Sequence, residues 1–184
     1  MPEVVSEPVR VGRSSVRLVR GDITEMDADA FVFYARADLA LGSGFGTAIM
    51  QRGGPSIQKE LSRLGPVETG QAVVTGAGNL KAGYIVHAVG PKFHEPDTEA
   101  KLHLTVLSAL KAAEAKGVKR IALPPMGAGF YAVPLDLCAR VMVEAIEEYL
   151  RGETNIAEVV LCVMDQREFA PFRAQLSSRE RGKG

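Results

Sequence analysis

The sequence predicts an α/β domain, a mostly parallel sheet with helices on both faces, and three observations lead there. Short continuous apolar runs such as Ala30 to Ala35 (Ala-Phe-Val-Phe-Tyr-Ala) have the β-branched and aromatic character of strands covered on both sides. These runs alternate with segments whose apolar residues recur at the helical period, and that alternation builds parallel crossovers. Glycine-rich turns separate a strand from the following helix twice, at Gly42 to Gly46 and at Gly127 to Gly129. At 184 residues, 46% of them hydrophobic, the chain fits one domain whose core needs no disulfide or structural metal.

Residues 1–15 mix Pro2, Pro8 and Gly12 with charges and short Val-rich pieces, and are read as an N-terminal extension able to supply an edge strand. Val16 to Val19 is a strand that runs into Gly21-Asp22-Ile23-Thr24, which puts Asp22 at a strand end. The run Ala30 to Ala35 follows, then the loop Leu41 to Gly46 and a helix over Thr47 to Arg52. Gly53-Gly54-Pro55 breaks that helix, and Pro55 starts another with Ile57, Leu61 and Leu64 on one face. Gln71 to Thr75 and Tyr84 to Val89 are strands separated by a turn at Gly76 to Asn79. The next helix carries Leu102, Val106, Ala109, Leu110 and Ala113 at the 3.6 period and is closed by Gly117.

A strand over Lys119 to Leu123 enters the turn Leu123 to Pro134, and Pro134 suits the first position of a helix. Leu135, Ala139, Met142, Ile146, Tyr149 and Leu150 line that helix until Gly152 ends it. Ala157 to Met164 is a last strand and Glu168 to Leu176 a short last helix, so the domain proper covers 16–176. Residues 177–184 have nothing to bury and are read as a disordered tail.

Small residues in the two glycine turns leave backbone N–H groups uncovered near the positive end of a helix, where an anion is best held. A phosphate cradle and a bare Gly-Pro turn both fit such a segment taken alone. In parallel sheets, however, ligands bind at the carboxyl ends of the strands, and both turns and Asp22 lie at such ends. Lys plus Arg equals Asp plus Glu at 22 each, so no global field holds nucleic acid or an anionic membrane. Any anion must be held locally. The spacing Gly42-Ser43-Gly44-Phe45-Gly46 is wrong for Gly-x-Gly-x-x-Gly and argues against a dinucleotide oxidoreductase.

Cys138 and Cys162 lie in apolar contexts without metal-ligand spacing, as buried reduced thiols in a cytoplasmic setting do. No basic start with an apolar run marks an export signal, and no stretch approaches the roughly 20 apolar residues of a membrane span. His87 sits inside an apolar strand and reads as a core histidine. His94 and His103 have no Asp or Glu at ligating spacing, so neither a metal nor a cofactor is expected.

Four motifs in order resemble those of the macro domain, the ADP-ribose-binding module, over about Val16 to Leu176. They are Gly21-Asp22-Ile23-Thr24, the strand and glycine loop of Asp29 to Pro55, His87-Ala88-Val89-Gly90-Pro91, and the Pro-x-x-x-x-Gly-x-Tyr-x-x-Pro loop of Pro124 to Pro134. The resemblance implies a three-layer α/β/α sandwich around a six-stranded mixed, largely parallel sheet, with a cleft across its crest. It implies that Asp22, with Ile23 beside it, accepts a hydrogen bond from the adenine amino group; a carboxylate offers only acceptors and disfavours a carbonyl base. A turn carboxylate or helix N-cap is the plain alternative for Asp22.

The first loop, with Gly42, Ser43, Gly44, Phe45 and Gly46, and the second, with Met126, Gly127, Ala128, Gly129, Phe130 and Tyr131, would clasp the diphosphate and distal ribose. Tyr131 suits either a ligand border or a loop anchor. Asp165 suits either an approach to the adenosine end or a cap on the last helix.

Departures from the family pattern bear on catalysis. Where hydrolytic members carry Asn-Ala-Ala-Asn, this chain has Phe33-Tyr34-Ala35-Arg36; an acid found in one subgroup is replaced by Gly46, and a frequent histidine by Met50. Arg36 is permanently charged and is no base at neutral pH, but its planar fork suits a phosphate or ribose hydroxyls; a surface salt bridge suits it equally. The usual catalytic set is absent, and no catalytic residue is assigned. The leading expectation is a module that binds ADP-ribose or a related adenine nucleotide, free or on a protein, with little or no turnover. The alternative is a hydrolase of ADP-ribosyl esters, ADP-ribose 1″-phosphate or ADP-ribosylated protein that relies on backbone donors. A third is a cleft in which Phe33 and Arg36 fill the distal-ribose region, leaving room for ADP, AMP or another phosphate compound.

Overall fold

A computed structural model describes residues 3–4, 7–42, 44–129 and 131–181. Its strands are β1 (Glu3–Val4), β2 (Val9–Val11), β3 (Ser14–Arg20), β4 (Ala30–Tyr34), β5 (Gln71–Gly76), β6 (Tyr84–Val89), β7 (Arg120–Leu123) and β8 (Glu158–Val163). The helices are α1 (Phe45–Gly53), α2 (Ser56–Ser62), α3 (Thr98–Ala115), α4 (Leu135–Arg151) and α5 (Gln166–Arg181), with one 3-10 turn at Ile23–Glu25. The main sheet runs β3-β8-β7-β4-β6-β5. Its first five strands are mutually parallel and β5 joins β6 antiparallel. This is the six-stranded mixed sheet that the resemblance implies. The N-terminal segment adds β1 and β2, both antiparallel to β3.

Successive residues of a strand face opposite sides of a sheet, so one strand feeds two cores. In β8, Val159, Leu161 and Val163 join the cluster built on α3, α4 and α5. Val160 and Cys162 join the cluster built on α1 and α2. Covering on both faces is the physical reason that the strands read as unbroken apolar runs. Leu102, Val106, Ala109, Leu110 and Ala113 of α3 are all fully buried against the first face.

Several element ends shift by one to a few residues from expectation, and two of these shifts, at the start of α4 and the end of α5, have a clear physical cause. Pro134 is the N-cap rather than the first helical residue: its backbone is extended at φ −57°, ψ 139°, and its carbonyl accepts the first helical bond, from the Cys138 amide at 2.9 Å. Helix α5 continues past Leu176 to Arg181, into the stretch expected to be a disordered tail, while 182–184 lie outside the described residues. The reason is docking. Phe172 and Leu176 are buried, and Arg179 bonds Gln175 and lies 3.5 Å from Glu147 of α4. No helix among the described residues is long and apolar enough to cross a membrane.

Candidate functional site

Because β3, β4, β6, β7 and β8 are parallel, their carboxyl ends meet at one crest. The loops leaving them carry Asp22, Arg36, Gly90, Gly127 and Asp165 respectively. At one end of the crest Asp22 caps the 3-10 turn. Its Oδ1 accepts from the Thr24 amide at 2.9 Å and from the Thr24 hydroxyl at 2.7 Å. Its Oδ2 accepts from Arg52 Nη1 of α1, and the same nitrogen donates to Thr24 Oγ1 at 2.7 Å. Partial burial pushes this carboxyl up, but the bonds from Thr24 and Arg52 prevail and hold it below the ordinary carboxylate range. Asp22 is therefore both a cap and an ionised acceptor on an open surface. The Ile23 side chain is buried in the core, so only its backbone reaches the crest.

Asp165 is a helix cap. Its Oδ1 accepts from the Glu168 amide at 3.0 Å, while Glu168 Oε1 reaches back to the Met164 amide at 2.7 Å, a reciprocal arrangement that satisfies two donors at the start of α5. Met164 stands 75% exposed between Val163 and this cap. The Gly21 amide donates to Val163 O at 2.9 Å, which sets Met164 beside the Asp22 turn.

The glycines of the two loops divide into two kinds. A Cβ on Gly42, Gly44 or Gly129 would meet nothing within 4 Å, and Gly44 has φ +56°. Their amides, and that of Gly127, make no hydrogen bond among the described residues. A Cβ on Gly46 would meet Leu41 O at 2.9 Å, and one on Gly127, at φ +82°, would meet Val133 Cγ2 at 2.9 Å and the Tyr34 ring at 3.2 Å. The first kind leaves space above the backbone and the second packs the loop down. Phe45 follows at the start of α1, 40% exposed, with its ring 6.1 Å from that of Phe33. Ser43 and Phe130 lie outside the described residues.

Tyr34 is the pillar beneath the crest. Its hydroxyl donates to Pro91 O at 2.5 Å, its ring meets Tyr131 edge-on at 5.3 Å, and Gly90 and Gly127 are glycines where a Cβ would strike that ring. Burial raises its phenol far above the usual range, so it stays a neutral donor. Ala128 is half-buried. Met126, expected at the ligand, is instead fully buried: its amide lies 3.2 Å from Met142 Sδ and its carbonyl accepts from Cys138 Sγ at 3.2 Å. It supports the loop from below.

A cavity of about 410 Å³ opens where β4 and β6 end, lined among others by Arg36, Thr69, Gly90, Lys92 and Tyr131. Arg36 thus reaches this cavity, and its Nη2 is 2.8 Å from Asp38 Oδ2. Lys92 Nζ lies 5.6 Å over the Tyr131 ring and makes no ion pair among the described residues. Burial raises the Tyr131 phenol, and Arg36 acts in the opposite direction. Tyr131 is both cavity wall and loop anchor, because its carbonyl accepts from the Phe93 amide at 2.9 Å.

Other groups are committed to structure. His87 is fully buried, with Nε2 2.9 Å from Thr75 Oγ1 and its ring edge-on to Phe33 at 6.0 Å; burial lowers its pKa to about 4. Cys138 and Cys162 are buried free thiols, and burial pushes Cys162 up to about 12. No cluster of three His, Cys, Asp or Glu side chains suited to a metal exists among the described residues. The presence of Arg52, Lys92, Thr69 and Tyr34 at the crest was not legible, since each is brought there by tertiary approach. One signal did exist. The stretch forming α1 contains no acid, so Arg52 has no partner on its own helix.

Comparison with known proteins agrees with this architecture. The family model described as Macro domain matches residues 35–142. A macro domain-containing protein of Caldanaerobacter subterraneus is 36% identical, over 87% of this chain and 94% of its own. Another, from Listeria monocytogenes, is 35% identical over 89% and 97%. Among solved structures, the Oceanobacillus iheyensis macrodomain with ADP superposes with a TM-score of 0.91 at 22% identity, covering 98% of this chain and 99% of that one. The Trypanosoma brucei macrodomain in complex with ADP-ribose gives 0.81 at 24% identity, covering 86% and 68%. With the ordered motifs, the crest loops and the family match in agreement, the chain belongs to the macro-domain family.

Proposed function

We propose that the crest binds ADP-ribose or a related adenine nucleotide, free or attached to a protein, with little or no turnover. The observation that carries this reading is the set of backbone amides at Gly42, Gly44, Gly127 and Gly129 without partners among the described residues, between an acceptor at Asp22 and a cation at Arg36. Such amides suit the oxygens of a diphosphate, which needs donors rather than a net positive surface. Asp22 accepts the adenine amino group, and the cavity beside Arg36 and Tyr131 takes the distal ribose. The known ligands of the Oceanobacillus and Trypanosoma macrodomains, ADP and ADP-ribose, support the same assignment.

Weak turnover follows from the groups near the distal end. Gly46 stands where one hydrolase subgroup has an acid, and even a Cβ there meets Leu41 O at 2.9 Å. The Ala40 amide and Arg36 hold the Asp38 carboxyl below its ordinary range, which makes it a poor base. Buried free thiols support a reducing compartment such as the cytoplasm, and the balanced charge argues against general nucleic-acid binding.

Calorimetric titration with ADP-ribose, ADP and AMP at fixed salt tests the reading. Binding of ADP about as tight as that of ADP-ribose would mean that the distal ribose is not read. Tighter binding of ADP-ribose than of AMP, with no product released on prolonged incubation, is the expected result. Absence of heat and of thermal stabilisation with all three would overturn the assignment.

A further inference from the structure

We propose that Arg52 turns the base-reading end of this site into a paired acceptor and donor, so that nucleoside diphosphate riboses of 6-oxopurines are accepted beside those of adenine. The inference rests on the reading of the crest as an ADP-ribose site. A carboxylate has about four lone-pair positions. In Asp22 three are filled: two on Oδ1 by Thr24 and one on Oδ2 by Arg52. One acceptor position therefore remains, on the oxygen next to the guanidinium.

Arg52 has donors to spare. Its Nη1 serves Asp22 and Thr24, while Nε and Nη2 make no hydrogen bond among the described residues, and the side chain is 49% exposed. A lone carboxylate suits only adenine, whose amino group donates at C6; a carbonyl there would be repelled. Beside Arg52 the reversed edge also fits. Asp22 Oδ2 accepts from N1–H of hypoxanthine or guanine while Arg52 donates to O6, and an arginine fork is well matched to the O6 and N7 of such a base. The guanidinium is charged at every accessible pH and reaches Asp22 from a helix with no acid of its own. Its charge at the base-reading end is consequently permanent.

Titrations of the wild-type chain, Arg52→Ala and Arg52→Lys with ADP-ribose, inosine diphosphate ribose and guanosine diphosphate ribose at fixed salt test this. The wild type is expected to bind the 6-oxopurine ligands within about a hundredfold of ADP-ribose, against the roughly 10⁴-fold rejection of a site whose polar group is left mismatched. Arg52→Ala should widen that ratio by at least about tenfold, and Arg52→Lys, which keeps the charge but not the fork, by less. Rejection of 6-oxopurines by the wild type beyond a hundredfold, or an equal loss for all ligands in Arg52→Ala, overturns the proposal; an equal loss means that Arg52 only supports Asp22. Thermal unfolding controls for folding, and Arg52→Gln supplies the comparison if the alanine variant is unstable. A wild type that binds no ADP-ribose would instead sink the site assignment, whereas adenine-only binding would sink this inference alone.

Discussion

The two ends of the crest solve different problems with different materials. At the Asp22 end the structure is polar and open: one carboxylate caps a turn through Oδ1 and presents Oδ2 outward, braced by an arginine from another element. At the Arg36 end the floor beneath the cavity is packed, with Tyr34 rising under the loops and glycines wherever its ring or Val133 leaves no room for a side chain. The difference teaches that, under the proposed function, identity is read by charge and hydrogen-bond direction at one end, while steric fit shapes the other. Side-chain changes at the open end should act mainly on ligand choice. At the packed end they should act mainly on stability.

The largest expected effect breaks the packed end. Gly127→Ala adds a Cβ at φ +82° within 2.9 Å of Val133, and should destabilise the fold by about 3 kcal/mol in denaturant unfolding. Gly129→Ala, in the same loop but facing open space, should change stability by less than about 0.5 kcal/mol while weakening ADP-ribose binding. Similar destabilisation by both would remove the distinction between packing and ligand-facing glycines.

Acid should also separate the two ends. His87, beneath the packed end, has its pKa lowered to about 4 from an unfolded value near 6.5. The unfolded chain therefore binds the proton first, and stability is lost as pH falls from about 6.5 towards 4, by about 3 kcal/mol in all. Asp22, whose pKa is lowered, keeps its contribution through that window and loses it only at more acid pH. Unfolding free energies measured across pH 4 to 7 check this, and a flat profile would mean that His87 is protonated at little cost in the folded state.

At the open end, Asp22→Ala should weaken ADP-ribose binding by about 1.5–3 kcal/mol, the range for bonds to a charged group. Asp22→Asn keeps an acceptor for Thr24 but sets an amide donor against Arg52 and the base, so it should lose affinity while preserving the turn. Calorimetry and thermal unfolding on both variants separate cap from reader. The smallest effect is expected at Asp165→Ala: about 1 kcal/mol of stability through loss of the α5 cap, with ligand affinity nearly unchanged. A large loss of affinity there would extend the base-reading end to Asp165.

Much of the fold was legible because central strands such as β4, β7 and β8 feed two cores and so read as apolar runs, as Ala30 to Ala35 does. The shared position of Asp22 and the glycine loops at the crest was legible because the turns that follow parallel strands leave from one edge of the sheet. Contacts that depend on tertiary approach were not. Arg52 meets Asp22 across 30 positions, and Tyr34 meets Pro91 across 57. Met126 looked like a loop residue, but its side chain turns into the core. Polar residues 177–181 looked like a tail because Arg179 has value only once Glu147 stands beside it.

The most direct test is to follow backbone amide chemical shifts during titration with ADP-ribose. Large shifts are expected at Ile23, Gly42, Gly44, Gly127 and Gly129 together, from both ends of the crest and the loops between them. Saturable binding that leaves the glycine-loop amides unmoved would contradict the crest as the binding site.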